Sequence, residues 1–174
     1  MGTKRVGLAR TQALIQNLKR ELTMGGTTNS RQFMANQPQL QTYVGVYEFG
    51  TDTSTAAEHT LRSASGGDLE LPIGFIACRG WVEVVTAVTS GGSLTLEVGT
   101  KGTSNDPNGF MASVAVGSLT ANSMHAFDGA LADNADGVAK RIHTTADPVS
   151  ITFGTAAATA GKFYVYIEGY QSLG

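Results

Sequence analysis

A single cysteine, Cys78, excludes an intrachain disulfide, so nothing in the chain argues for an oxidising compartment. It sits in the apolar run Phe75-Ile76-Ala77 and reads as a small buried hydrophobe. No segment approaches the roughly 18 consecutive apolar residues of a membrane span. The stretch from Leu8 to Leu22 is interrupted by Arg10, Gln12, Gln16, Asn17, Lys19 and Arg20, which does not fit a signal peptide. Val6 stands where a myristoylation site needs Ser or Thr. The expectation is a soluble chain, made in a cytoplasm, with no membrane partner. Charge is also scarce, at 15% of residues, against roughly 25% in typical soluble domains.

Catalytic and metal-binding patterns are missing as well. His59, His125 and His143 are far apart, and none belongs to an HExxH or to a Cys/His cluster with zinc spacing. No serine lies in GxSxG, and there is neither GxGxxG nor GxxxxGK[ST], so the glycines read as turn residues rather than phosphate cradles. The chain does not read as an enzyme, and no cofactor is implied. One loop, Asp128 to Gly137, places Asp128, Asp133 and Asp136 together in the manner of a calcium loop. The EF-hand order fails, however. With Gly137 at the glycine position, the first ligand position is Ala132 and the twelfth is His143. A solvated turn that uses Asx hydrogen bonds accounts for the same residues.

Charge is present, but divided. Residues 1–31 carry Lys4, Arg5, Arg10, Lys19, Arg20 and Arg31 against Glu21 alone, a balance of +5, whereas residues 32–174 hold 6 basic and 13 acidic side chains, −7, for a total of −2. The basic part has helical periodicity. Leu8, Ile15, Leu18 and Leu22 fall on one face with Leu14 beside them, and Gly25-Gly26 ends the run. The pattern predicts an amphipathic basic helix over residues 1–24. A single apolar stripe of that length does not hold itself together in water. It must dock on its own body, on a second copy or on another protein. Residues 25–39, rich in Gly, Thr, Asn, Ser and Gln and closed by Pro38, read as a linker.

From Leu40 the period changes to two, and residues 40–174 read as a β body. Tyr43, Tyr47 and Phe49 share a face, and Thr60 to Ala64 is a short strand candidate. Val82, Val84, Thr86 and Val88 share a face in the run Phe75–Val88. Leu94, Leu96 and Val98 follow across Gly91-Gly92, which reads as a hairpin. Asn105-Asp106-Pro107-Asn108-Gly109 reads as a turn. Ala112, Val114 and Val116 alternate beyond it. Met124–Leu131 and Val138–Thr144 are weaker candidates, and Val149, Ile151 and Phe153 precede the clearest strand, Phe163–Ile167. There Phe163, Val165 and Ile167 face one way and Tyr164, Tyr166 and Glu168 the other. About eight strands without a further helix predict an all-β, two-sheet sandwich. A jelly roll is the first topology and an immunoglobulin-like sandwich the second.

Trp81 reads as core, and Tyr164, Tyr166 and Tyr170 as an outer stripe. Such a stripe suits an oligomer or partner contact. Together with Trp81 it also suits a sugar-stacking platform, which keeps glycan as a second class of partner. Nucleic acid binding by the basic arm is disfavoured by its leucine face and by the acidic body.

The N-terminal stretch Thr3-Lys4-Arg5-Val6-Gly7-Leu8-Ala9-Arg10-Thr11-Gln12-Ala13-Leu14-Ile15-Gln16-Asn17-Leu18-Lys19-Arg20-Glu21-Leu22 resembles the N-terminus of small virion structural proteins of marine and cyanobacterial tailed phages. Gly161-Lys162-Phe163-Tyr164-Val165-Tyr166-Ile167-Glu168 is similar to their ending. The resemblance implies a component of the virion, made in a host cytoplasm. With a β body it implies a capsid decoration (cement) protein on the capsid surface, commonly trimeric, which binds the major capsid protein over capsomer joints. The expected interface residues are Lys4, Arg5, Arg10, Leu14, Ile15, Leu18, Lys19, Arg20 and Leu22 of the arm, with Tyr164 and Tyr166 of the body. The alternative is a tail or head appendage that grips host-surface glycan.

Overall fold

The computed structural model describes Gln12 and residues 39–102, 105–129, 140–141 and 146–171, with backbone alone at 140–141. The chain divides into two units, Met1–Gln39 and Leu40–Gly174. Gln12 is helical and exposed; the rest of the expected arm helix and residues 25–38 of the linker lie outside the described residues.

The second unit contains eleven strands among the described residues. They are β1 Leu40–Glu48, β2 Glu58–Thr60, β3 Arg62–Ser63, β4 Glu70–Leu71, β5 Phe75–Ser90, β6 Thr95–Thr100, β7 Asp106–Ala115, β8 Met124–Ala126, β9 Lys140–Arg141, β10 Asp147–Gly154 and β11 Ala158–Gln171. Three of these, β3, β4 and β9, span two residues each, which leaves eight longer ones. All pairings between them are antiparallel. One sheet runs β3-β1-β11-β5-β8, with β9 beside a further part of β5; the other runs β2-β10-β6-β7, with β4 beside β10.

Alternation builds the core. On β11, Phe163, Val165 and Ile167 are fully buried, and on β10 so are Val149, Ile151 and Phe153. These rows face each other between the sheets. Tyr47 of β1 joins them: its ring stacks on Phe163 (4.9 Å, 23°) and meets Phe153 of the opposite sheet edge-on (5.0 Å, 71°). Each such ring pair contributes about 0.5–1.5 kcal/mol beyond area burial. Gly45 shares the inward face, and a Cβ there would stand 2.2 Å from Leu61 Cδ2. The missing side chain is what admits Leu61, which is 1% exposed.

Several local expectations are corrected. The Gly91-Gly92 turn does not close a hairpin, because β5 pairs with β11 while β6 pairs with β10 and β7. The turn carries the chain from one sheet to the other, and each apolar run lines its own side of the core. The run Thr60–Ala64 divides at Leu61 in the same way, with β2 in one sheet and β3 in the other.

Thr86 is exposed while Val82, Val84 and Val88 are buried. The register between Lys162↔Thr86 and Phe163↔Val84 leaves Val85 as an extra residue, which reverses the alternation. An extra residue between Thr89 and Thr86 restores it, so Val88 is buried again, and a further one, between Glu168↔Arg79 and Gly169↔Ala77, is Cys78. That bulge exposes the thiol expected to be buried. Phe49 lies one residue past β1 and is 42% exposed. The expected turn at residues 105–109 instead forms the start of β7. Between Val98↔Met111 and Thr100↔Asp106, four residues of β7 oppose one of β6.

Candidate assembly surface

The outward face of the six-stranded sheet gathers the body residues expected at an interface. β11 is central, so each of its outward side chains has a neighbour on both sides. Tyr166 lies between Val44 and Trp81, Tyr164 between Val46 and Glu83, Glu168 between Thr42 and Arg79, and Lys162 between Glu48 and Thr86. Beyond β5, Trp81 meets Ala126 and Glu83 meets Met124.

The rings of Trp81 and Tyr166 stack (5.1 Å between centroids, 17° between planes), and Tyr164 lies 6.4 Å from Tyr166. The Tyr166 hydroxyl donates to Glu83 Oε2 at 3.0 Å. Burial first, then this bond and the Glu83 charge, push its phenol pKa up. Trp81 is therefore half-buried on the outer face, not in the core, because β5 places it in the same register row as Tyr166.

Most charges on this side pair among themselves, while Glu83 accepts from the Tyr166 hydroxyl. Arg79 donates to Glu168, Lys162 lies 3.2 Å from Glu48, and Arg62 grips both carboxylate oxygens of Asp52 at 2.9 and 3.2 Å. Surface pairs of this kind contribute about 0–1 kcal/mol each. Their larger effect is to neutralise most of the charge around a seam of rings in which the Glu83 carboxylate is held by a ring hydroxyl. At one end Leu40 and Tyr170 are cross-strand partners and both are exposed; at the other, Met124 is 63% exposed. Aromatic rings with paired charges and apolar ends are the composition of a protein contact.

Tyr164 and Tyr166 thus lie together, with Tyr170 at the end of the same row. The arm residues Lys4, Arg5, Arg10, Leu14, Ile15, Leu18, Lys19, Arg20 and Leu22 lie outside the described residues. Sequence reasoning placed Glu168 on this face but missed its partner Arg79, and it missed Glu83 and the Lys162–Glu48 pair. Their significance is a matter of register, and no local pattern carries it. A sugar platform is weakened by the same geometry: Trp81 and Tyr166 each turn a ring face to the other, and the Tyr166 hydroxyl is already engaged.

The other sequence candidates find local roles. His59 Nε2 lies 2.8 Å from the Thr55 carbonyl oxygen, and His125 Nε2 lies 3.0 Å from that of Ser118. Both rings pin loops. His143 lies outside the described residues. The Asp128 carboxylate accepts from the Ala112 N–H at 3.0 Å, and Gly129 N–H donates to the Phe110 carbonyl, so this segment covers the free edge of β7. Asp133 and Asp136 lie outside the described residues. Among the described residues no group of three or more His, Cys, Asp or Glu side chains is placed to hold a metal. A cleft of ≈ 350 Å³ opens beside Leu61 and is lined by Asp52, Glu58, His59, Arg62, Asp68 and Lys101 among others. No described helix is long and apolar enough to cross a membrane.

No protein-family model matches the chain, and no curated protein matches it. Solved structures do share its fold. A chain of the cyanophage Pam1 capsid asymmetric unit is similar with a TM-score of 0.55 at 19% identity, over 78% of this chain and 86% of that one. A chain of the capsid of Ralstonia phage GP4 is similar with a TM-score of 0.52 at 17% identity, again over 78% and 86%. The class defined is a two-sheet antiparallel β-sandwich of a kind found in phage capsids. At these identities the likeness is one of fold.

Proposed function

We propose that this chain is a structural protein of a phage virion, and specifically a capsid decoration (cement) protein that binds the major capsid protein on the outside of the head. The observation that carries the reading is the extent of the fold likeness. It spans 86% of a chain in each of two phage capsid structures, so it concerns whole capsid components and not a shared fragment. The N-terminal sequence resemblance supports the same reading independently.

The strand order supports a jelly roll. The eight longer strands fall into two four-stranded sets, β1-β11-β5-β8 and β2-β10-β6-β7. Successive strands cross between the sets wherever the chain must close two Greek keys. In this reading the ring seam around Trp81 and Tyr166 packs copies of the chain together, most simply as a trimer. The basic arm grips the shell, its stripe of Leu8, Leu14, Ile15, Leu18 and Leu22 filling a groove and its cations steering approach. The role is assembly and not catalysis.

Quantitative mass spectrometry of purified particles tests it. Hundreds of copies per particle, with electron microscopy of the labelled chain showing density over capsomer joints, is the expected result. A few to dozens of copies at a vertex or on the tail would overturn the cement role and favour a glycan-binding appendage.

A further inference from the structure

At Leu61 the chain leaves one sheet for the other, with β2 in the five-stranded sheet and β3 in the six-stranded one. The cleft of ≈ 350 Å³ opens at this crossover and takes its lining from both sheets. Its size falls in the range of small-molecule sites, about 300–1,000 Å³. Val46, Leu61 and Ile151, all buried, give it an apolar floor.

The polar walls are braced by the protein itself. Asp52 accepts both bonds from Arg62 and, through Oδ2, one from the Glu48 N–H at 2.8 Å. His59 is held at the Thr55 carbonyl oxygen. A wall already in place lowers the ordering cost of binding.

The groups left over are of opposite kinds. Glu58 Oε1 and Tyr47 Oη make no normal hydrogen bond among the described residues. Asp68 is exposed on the rim, and the Lys101 ammonium has a long contact, 3.4 Å, with the Glu58 carbonyl oxygen. A small cation would meet Lys101 and Arg62 here, and a small anion would meet Glu58 and Asp68. A hydroxyl carries no charge and is donor and acceptor at once. It can accept from Lys101 or Tyr47 and donate to Glu58 or Asp68. Tyr47 Oη lies beneath the rim, but Thr51 and Thr53 of the lining are exposed, and exposed side chains turn aside in picoseconds to nanoseconds.

We propose that this cleft binds a neutral sugar, free or at the end of a polysaccharide, with Glu58, Asp68, Lys101 and the Tyr47 hydroxyl as its hydrogen-bonding groups. The C–H face of the sugar ring suits the apolar floor and its hydroxyls suit the mixed walls. The site goes beyond the assembly role, for it uses neither the rings of the seam nor the arm. Binding is measured on the chain in solution, so failure here and failure of the cement reading are told apart.

The test is ligand-observed NMR of the full chain with glucose, galactose, mannose and N-acetylglucosamine, and with their methyl glycosides as chain ends. At least one of these sugars should bind with a Kd of roughly 1–10 mM, as befits a ligand of few atoms. The amino-sugar and uronic-acid counterparts of that sugar should bind several times more weakly. Tyr47→Phe, which keeps the ring packing, and Lys101→Met, at the surface, should each weaken binding about fivefold. Methyl glycosides that bind as well as the free sugars assign polysaccharide ends to the cleft, and free sugars binding alone confine it to free saccharides. Binding by none of the sugars at tenfold higher concentration, tighter binding of either charged counterpart, or unchanged affinity in both variants would overturn the proposal. So would binding that survives in both variants and is lost in Tyr164→Ser combined with Tyr170→Ser, since that would move the sugar to the ring seam.

Discussion

Trp81 and Tyr166 face each other across β5 and β11, 5.1 Å apart and 17° from parallel. They lie 85 positions apart in the sequence. Their stack sits on the solvent side of a sheet whose other side is the core, and the Tyr166 hydroxyl is tied to Glu83. A strand face that exposes its rings while pairing most of its charges is suited to contact with protein.

Tyr164→Ser combined with Tyr170→Ser should weaken self-association by about tenfold or more while leaving the monomer's melting within a few degrees. Both side chains reach the surface, so they contribute more to a contact between copies than to the core. Sedimentation across a concentration series measures this. An unchanged association constant would exclude the ring seam as the subunit contact.

Tyr47 predicts a loss of stability in alkali. Burial, then the nearby Asp52 charge, push its phenol up to about 12, with the Ser54 hydroxyl pulling the other way. The fold therefore favours the neutral phenol. Its contribution is complete below the ordinary tyrosine value of 10 and is lost as pH rises from 10 to about 12. Two pH units correspond to roughly 2–3 kcal/mol. Urea unfolding should show wild type losing more stability than Tyr47→Phe between these pH values. At neutral pH the Phe variant should lie within about 1 kcal/mol of wild type, because Tyr47 Oη makes no normal hydrogen bond among the described residues.

Gly45→Ala should cost about 1–3 kcal/mol through overpacking, since the new methyl meets Leu61 at 2.2 Å. In a Leu61→Ala background the same change should cost less, with only the contact to Leu69 Cδ2 at 3.0 Å left to accommodate. Denaturant midpoints for the four proteins of this double-mutant cycle measure the coupling. Additive costs would mean that the backbone, and not Leu61, absorbs the strain.

Attachment to particles separates the two properties of the arm. Ile15→Asp with Leu18→Asp should abolish occupancy at any salt, because burying each apolar side chain contributes roughly 1.5–3 kcal/mol and is indifferent to ionic strength. Changing Lys4, Arg5, Arg10, Lys19 and Arg20 to Gln should instead slow binding and lower occupancy mainly at low salt. Gel densitometry of particles after pelleting reads both. Full decoration by the double Asp variant would assign attachment to the β body.

Periodicity by itself determined the all-β class, the position of the last strand and most of the core. Alternation at Phe163, Val165 and Ile167 reports a half-buried strand in any register, because side chains on a strand point to opposite faces in turn. It likewise assigned Tyr164 and Tyr166 to the outer face before any partner strand was known.

Tertiary pairing decided the rest. Gly91-Gly92 has the composition of a hairpin turn, yet β5 and β6 find longer partners in opposite sheets, and a local turn signal carries no information about those partners. Bulges at Val85 and Cys78 arise from matching β5 to β11, so the exposure of Thr86 and of the thiol depends on residues some 80 positions away. Trp81 joined the outer face for the same reason. The row that sets Thr152 of β10 between Glu58 of β2 and Glu97 of β6 has no sequence signature at all. Its members come from three strands that only the sheet brings side by side, and whether a polar side chain is left without a partner depends on what folds over it.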